Sequence, residues 1–502
     1  MAIKTQGTVD QPYSRLGKFD FGFDAPVFGE LTVAQENSQL SLQDELCQIE
    51  GPSKSLVTGV LHDGTKVTLL RLVSNEQTTR MTEGGLRHRF VRMFPHFILE
   101  GLAHIDPLEE NISQISFGLE HGSALFYDFD AFGSVEDGKP IMELIASTQK
   151  STRKIEIGEY PSVVYFNGKF KILETDTALG RMSVGHNPSW SVGGPEGISI
   201  KDFISVRVDF SEPIKFDEAI NRLVRLLRFL ELVIGRPQGL QRLTIKLHHP
   251  TDNVRLDVHW SHGPGRSSHK EVDSQGPQPG DILLDAIRRP EEFAEVTRNW
   301  LESDFERRDA RQRFDAVFAE QRTFDEDRVI GAANMFDLLP ASAVPSSVPL
   351  TEDIARAKAL ARDAFRSLPL SIERNSVLNA LGRLGNATLK HKVRHRAELI
   401  LSRVPSTRFP KLTMILEAAV DCRNHYVHGS PSPINYRENF DLVMFFTATL
   451  EFVFGAAELI EAGWDINAFI TKGTSMTHPY GTYLVNYKGG LALFEQIVPP
   501  RA

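Results

Sequence analysis

Residues 421–429 read DCRNHYVHG, placing an arginine, an amide, two histidines, a tyrosine and a cysteine within nine positions. Two chemistries are open to such a set. Arg423 carries a permanent charge on a planar fork and can grip a phosphate through paired N–H groups. His428 can pass a proton near neutral pH, and Asn424 can orient either partner. Together they suit attack on a phosphodiester. Alternatively, Cys422 and His425 form a thiol–imidazole pair, although no strand-to-helix elbow surrounds the cysteine and the adjacent Asp421 disfavours a thiolate. The bland reading is a helix end whose histidines satisfy the last carbonyls.

The element that must carry these side chains is PKLTMILEAAVDCRNHYVHG (410–429). Pro410 suits a first turn, Leu412, Ile415, Leu416 and Ala419 share one face, and Gly429 followed by SPSP is a stop. The polar cluster therefore falls on the last turns of a helix with a buried body, where the negative end of the helix dipole favours the protonated imidazole of His428. Five residues of ideal helix rotate through about 140°, so Arg423 and His428 diverge on a straight helix. Either the last turn unwinds at Gly429, or a second copy of the chain completes the site.

Other chemistry is poorly supported. His248, His249, His259, His262 and His269 lie close in sequence, but no cysteine accompanies them and Asp252 and Asp257 have no recognisable ligand spacing. They read as surface histidines, and no metal or other cofactor is expected. The segment GGPEG (193–197) lacks the lysine and following helix of a phosphate-binding loop, so nucleotide hydrolysis is not indicated.

The chain has 502 residues and a formal net charge of −9. Residues 1–300 hold 32 Lys+Arg against 41 Asp+Glu, and residues 301–502 hold 24 of each. Within the second part, residues 371–411 carry nine basic side chains and only two acidic ones, Glu373 and Glu398. Lys390, Lys392, Arg394, Arg396 and Arg403 of this block are the candidate phosphate contacts, against the alternative of a solvated helix face. The N-terminus has no apolar signal, the two cysteines (Cys47 and Cys422) lie far apart, and DLVMFFTATLEFVFGAAELI (441–460) carries Asp441, Glu451 and Glu458. A cytoplasmic protein without a membrane span is expected.

The elements fall into two regimes. Residues 21–280 read as strands and turns: GELTVAQENSQLSL alternates around a polar turn, Asp63-Gly64 separates two alternating runs, ISFGLEHGSALFYDFD reads as a strand pair, and Asn167-Gly168 marks a tight turn. A helix over 216–235 interrupts them. A tail is expected over 1–20, a connecting helix over 281–308, a helical bundle over 309–490 and a second tail over 491–502. The class is α+β, an antiparallel β-rich domain followed by an all-α bundle.

Arg423-Asn424, then His425-Tyr426-Val427, then His428-Gly429 resembles the HEPN signature, an arginine and a polar residue followed at a helix end by a histidine. The layout, with FDAPVFGELTV, GVLHDGTKVTLL and a helix opening at SEPIKFDEAI, resembles ApeA-type anti-phage proteins, in which a β-rich N-terminal domain precedes a C-terminal HEPN bundle. The resemblance implies a metal-independent endoribonuclease of abortive infection, with tRNA among its candidate substrates. It implies a homodimer through the bundle, with two motifs lining one cleft, and a phage-derived trigger at the N-terminal domain. Arg423, Asn424 and His428 would be catalytic, with His425 and Tyr426 as auxiliaries; Glu373 is the nearest candidate for an acidic residue on an earlier helix. Products would be a 2′,3′-cyclic phosphate and a 5′-OH. The alternative is a non-catalytic HEPN-like sensor that dimerises and binds RNA or a phage component.

Overall fold

The computed structural model describes residues 12–44, 49, 51–81, 87–148, 156–191, 197–248, 254–263, 276–320 and 323–498. Cys47, His249, His269 and most of GGPEG lie outside the described residues. The chain divides into two compact units, one of residues 1–231 and 237–294, the other of residues 232–236 and 295–502.

In the first unit, six strands close on themselves: β1 (Tyr13–Asp20), β2 (Val27–Val33), β3 (Gln39–Asp44), β4 (Ser53–Leu61), β5 (Lys66–Met81) and β6 (Arg87–Gly101). β1 pairs with both β2 and β4, β3 joins β2 to β6, and β5 joins β4 to β6, all antiparallel. Closure leaves no free edge in this ring. Its interior holds Phe19, Leu31, Leu42, Val57, Val67, Leu69, Met93 and Ile98, each at most 2% exposed. Truncating one such leucine to alanine costs about 2–5 kcal/mol.

β6 is longer than the ring needs, and its last residues also pair with β16 (Arg255–Trp260). An open antiparallel sheet continues from there through β15 (Leu240–Leu247), β7 (Ile112–Leu119), β14 (Ile204–Ile214), β11 (Gly180–His186) and β10 (Lys171–Thr177). Two small hairpins stand apart, β8 (Phe132–Val135) with β9 (Val163–Phe166), and β12 (Ser189–Trp190) with β13 (Ile200–Lys201). The short helices α1 (Gly122–Leu125) and α2 (Lys139–Thr148) precede α3 (Phe216–Ile234), which ends at Gly235 with φ +90°.

Several sequence expectations change. The tail over 1–20 is in fact β1 from Tyr13 onward; the signal was weak because an inward position is Gly17, where a Cβ would lie 2.9 Å from the Val60 carbonyl oxygen. Asp63-Gly64 does turn between β4 and β5, Gly64 adopting φ +85°. Asn167-Gly168 is a turn too, but the strands it separates belong to different sheets. ISFGLEHGSALFYDFD is not a strand pair: after β7 its small residues coil into α1.

The second unit is helical: α4 (Pro290–Phe318), which enters it at Glu295, α5 (Glu326–Asn334), α6 (Glu352–Arg366), α7 (Ile372–Arg383), α8 (Leu389–Leu401), α9 (Leu412–His428), α10 (Phe440–Ala462), α11 (Ile466–Thr471) and α12 (Pro479–Ile497). The connecting helix expected over 281–308 therefore starts at Pro290 and runs ten residues further, and the expected tail from 491 is helical to Ile497. α10 is the axis, packing on α5, α8, α9 and α12. Its length and apolarity would suit a membrane span, but 89% of its most apolar window is buried inside the structure.

Charges in that axis are met by arginines. Glu458, with its side chain fully buried, bonds Arg307, Arg311 and Arg396, while Glu451 takes Arg328 through both carboxylate oxygens at 2.8 and 2.9 Å. Burial alone would raise the Glu458 carboxyl; the three guanidiniums outweigh it and hold the group below the usual range. These pairs fix helix register at the centre of the bundle.

Candidate active site

α9 is held at both ends. At its start the Tyr487 hydroxyl of α12 donates to the Pro410 carbonyl at 2.8 Å. Its body is buried at Leu412, Ile415, Leu416, Ala419 and Cys422, against α5, α8 and α10. At its end Gly429 adopts φ +64° and its N–H returns to the His425 carbonyl, a left-handed cap that favours glycine. The helix is regular through His428, so it does not unwind.

Arg423 and His428 nevertheless meet within one chain. Arg423 Nη1 lies 3.2 Å from His428 Nε2 and also donates to Asn424 Oδ1 at 3.0 Å. An arginine can only donate, so Nε2 is the acceptor and the neutral ring carries its proton on Nδ1. The 140° separation is crossed by the reach of the arginine side chain, which neither alternative drawn from the sequence had allowed for. The other side of the guanidinium is held by a residue that the sequence did not indicate: Asn334, the last residue of α5, accepts from Nε at 2.9 Å and from Nη2 at 2.7 Å. Its only sequence signal is an amide near a helix end, which is too common to single out. Of the five guanidinium N–H groups, one on Nη2 has no partner among the described residues. His428 is exposed and Arg423 half-buried, so the pair opens to solvent.

The neighbouring side chains have other work. His425 Nδ1 bonds the Ser430 carbonyl at 2.9 Å, and its ring packs beside Tyr426 and Tyr436. Burial pushes the hydroxyls of both tyrosines up to about 12, so they stay protonated at neutral pH. Cys422 is fully buried, and burial with the nearby Glu326 pushes its thiol up to about 12. A buried, protonated thiol is a poor nucleophile, which speaks against the cysteine–histidine reading.

Residues 14–300 match the family described as ApeA N-terminal domain 1, more than half of the chain, and residues 330–467 match Apea-like HEPN. The chain belongs to the ApeA family. It is an ApeA-type HEPN protein of the anti-phage defence class, and the whole of α9 with its Arg423/His428 pair falls within the HEPN match. No curated protein and no solved structure matches it.

In this ApeA-type bundle the basic block does not form a continuous phosphate-binding face. Arg396 is 1% exposed and spends its guanidinium on Glu458 and Glu461, so it is a core residue and not an RNA contact. Charge in the sequence could not distinguish this, because its partners lie two helices further on. Lys392 pairs with Asp337, and Arg394 with Glu417. Lys390 Nζ bonds Asp421 Oδ1 at 2.5 Å, which puts it on the motif helix, two residues before Arg423. Arg403 is exposed. Glu373 is also displaced from its expected role: it lies in the exposed first turn of α7, which packs on α6, and hydrogen bonds from its own backbone N–H and the Ser371 hydroxyl hold its carboxyl below the usual range. The residue that faces Arg423 from an earlier helix is Asn334. His259 and His262 do not converge either, since His259 Nε2 meets the Tyr13 hydroxyl and His262 stacks on His96. Among the described residues no group of three or more His, Cys, Asp or Glu is arranged for a metal ion.

Proposed function

We propose that the chain is an endoribonuclease of anti-phage defence that cleaves RNA, tRNA among its candidate substrates, with His428 and Arg423 as its catalytic residues. The observation that carries this reading is the 3.2 Å contact between Arg423 Nη1 and His428 Nε2 at an exposed helix end. Nε2 holds the lone pair that would accept the proton of a ribose 2′-OH. The 2′ oxygen then attacks phosphorus, the P–O5′ bond breaks, and the 5′ oxygen leaves as a hydroxyl after receiving a proton from an imidazolium. Arg423, released from His428 when that ring is protonated, turns its Nη N–H groups to the phosphorane oxygens as charge develops there. Asn424 keeps Nη1 in register. The products are a 2′,3′-cyclic phosphate and a 5′-OH, and DNA, which lacks the 2′-OH, resists cleavage.

A second copy of the chain, docked through the bundle, would bring a second His428 to serve as the acid while the first serves as the base. Lys390 and Arg403 remain as RNA contacts in this scheme, and Lys392 and Arg394 would join them by exchanging their carboxylate partners for phosphate. The first unit, acidic in net charge, is the module that would receive a phage-derived trigger in the cytoplasm.

Arg423→Ala and His428→Ala should each abolish cleavage of a single-stranded RNA and any growth arrest, with circular dichroism and oligomeric state unchanged. Cleavage at wild-type rate in either variant overturns the assignment, as does activity that EDTA removes and Mg²⁺ or Zn²⁺ restores. The competing reading, a non-catalytic RNA-binding dimer, draws on the near-complete satisfaction of Arg423 by its own neighbours. It predicts RNA binding without cleavage in the wild-type chain after exposure to phage-infected cell extract.

A further inference from the structure

We infer that Asn334 is a positioning residue of this site, a neutral amide that holds the Arg423 guanidinium for a singly charged phosphodiester without cancelling its charge. The inference rests on the catalytic reading of Arg423 and His428 given above. Asn334 takes the inner edge of the guanidinium, both Nε and Nη2, and leaves the outer edge to Asn424 and His428.

The platform under Asn334 is stiff. α5 is capped by Asp325, whose side chain accepts from the Arg328 N–H at 2.7 Å, and the Arg328 guanidinium is locked on Glu451 by two bonds. Gly331, one turn before Asn334, lies so close to α4 that a Cβ there would sit 2.5 Å from a Val317 methyl. A side chain on such a support can hold an arginine against the motion that its own rotamers allow.

The choice of an amide is informative. Within the bundle Arg307, Arg311, Arg328, Arg394 and Arg396 are each met by a carboxylate. Among the described residues Arg423 forms no ion pair, and its oxygen partners are both amides. An aspartate at 334 is isosteric and would make the stronger hydrogen bonds. It would also offset the charge of the cation that faces His428. An amide makes sense where geometry must be fixed and the charge kept for a ligand. The ligand edge presents the free Nη2 N–H and the Nη1 N–H now given to His428, two donors that match two non-bridging oxygens of one phosphodiester.

The test uses the full-length chain with Asn334→Ala, Asn334→Asp and His428→Ala, a fluorophore-tagged single-stranded oligoribonucleotide, and ¹⁵N-histidine spectra of the free proteins. In Asn334→Ala, kcat should fall on the order of 10–100-fold, as expected when a catalytic group drifts by an ångström, while KM stays within about threefold and the melting temperature is unchanged. Asn334→Asp should keep kcat within a few-fold and raise KM by on the order of tenfold, because the fork is still placed but its charge is offset. The spectra read geometry without turnover: wild-type His428 should show its neutral proton on Nδ1, and Asn334→Ala should populate both tautomers. If His428→Ala retains cleavage, the reading of the site itself fails. If His428→Ala is dead while Asn334→Ala matches wild type in kcat and tautomer, the role given to Asn334 is wrong. Equal KM values for Asn334→Asp and wild type would overturn the charge argument alone.

Discussion

Replacing Arg396 by alanine separates two roles that its charge alone cannot distinguish. The side chain is 1% exposed, its Nη2 lies 2.8 Å from Glu458 Oε1 and its Nη1 lies 2.7 Å from Glu461 Oε2. Its removal leaves Glu458, fully buried, with Arg307 and Arg311 only, leaves Glu461 with one fewer partner, and opens a cavity the size of a long side chain. Breaking a buried pair from one side costs about 3–5 kcal/mol. For a helical unit of about 200 residues, where 1 kcal/mol moves Tm by about 2–4 °C, the transition should fall by about 6–20 °C. The pH dependence should change as well. The Glu458 carboxyl is held below its unfolded value, so its contribution is present above the unfolded value and is lost as pH falls through the folded one. With one guanidinium gone the depression shrinks, and acid unfolding of the helical unit should begin at a higher pH. Differential scanning calorimetry of the full chain between pH 3 and 7, resolving the two units, measures both effects. A variant with unchanged melting and an RNA affinity lowered more than tenfold would refute the structural assignment and return Arg396 to the phosphate contacts.

Gly429→Val should destabilise the end of α9 by about 1 kcal/mol or more, since φ +64° is a left-handed conformation that a β-branched residue resists, and RNA cleavage should fall with it; urea titration and a cleavage assay on the same preparation check both. Cys422, with its thiol pushed up to about 12, should resist alkylation by iodoacetamide at pH 8 in the folded chain and react once urea exposes it, as peptide mass spectrometry would show. Replacing Lys390, Lys392 and Arg394 together by glutamine should flatten the salt dependence of RNA binding while leaving the catalytic step at saturating RNA intact; an unchanged salt slope would mark the three as surface ion pairs only. A fragment starting at Pro290, which keeps α4 whole, should be constitutively toxic to its host in a His428-dependent way; a harmless fragment beside a full-length chain that cuts RNA without a trigger would make the first unit part of the active enzyme.

Local pattern alone determined most of α9. The apolar face of Leu412, Ile415 and Leu416 and the glycine at the exit are neighbours in sequence, and an α-helix is built from neighbours, whereas Pro410, expected in the first turn, falls one residue before the N-cap Lys411. The same holds for the turn at Asp63-Gly64 and for the period change at residue 216, where alternation gives way to the spacing of α3. What depended on distant pairing was not legible. Closure of β1 through β6 requires β5 and β6 to meet along their lengths while β3 reaches β6, and no residue in any one strand announces its partner. Arg396 looks like its exposed neighbours in the sequence and becomes a core residue because Glu458, 62 positions later, is carried to it by α10. Asn334 lies 89 positions before Arg423, and only the packing of α5 on α9 makes that amide the clamp of the motif arginine. Helical periodicity shows which face of an element is apolar; which charged or polar group it meets is settled when the helices dock, where a buried charge must find an opposite one or not be buried at all.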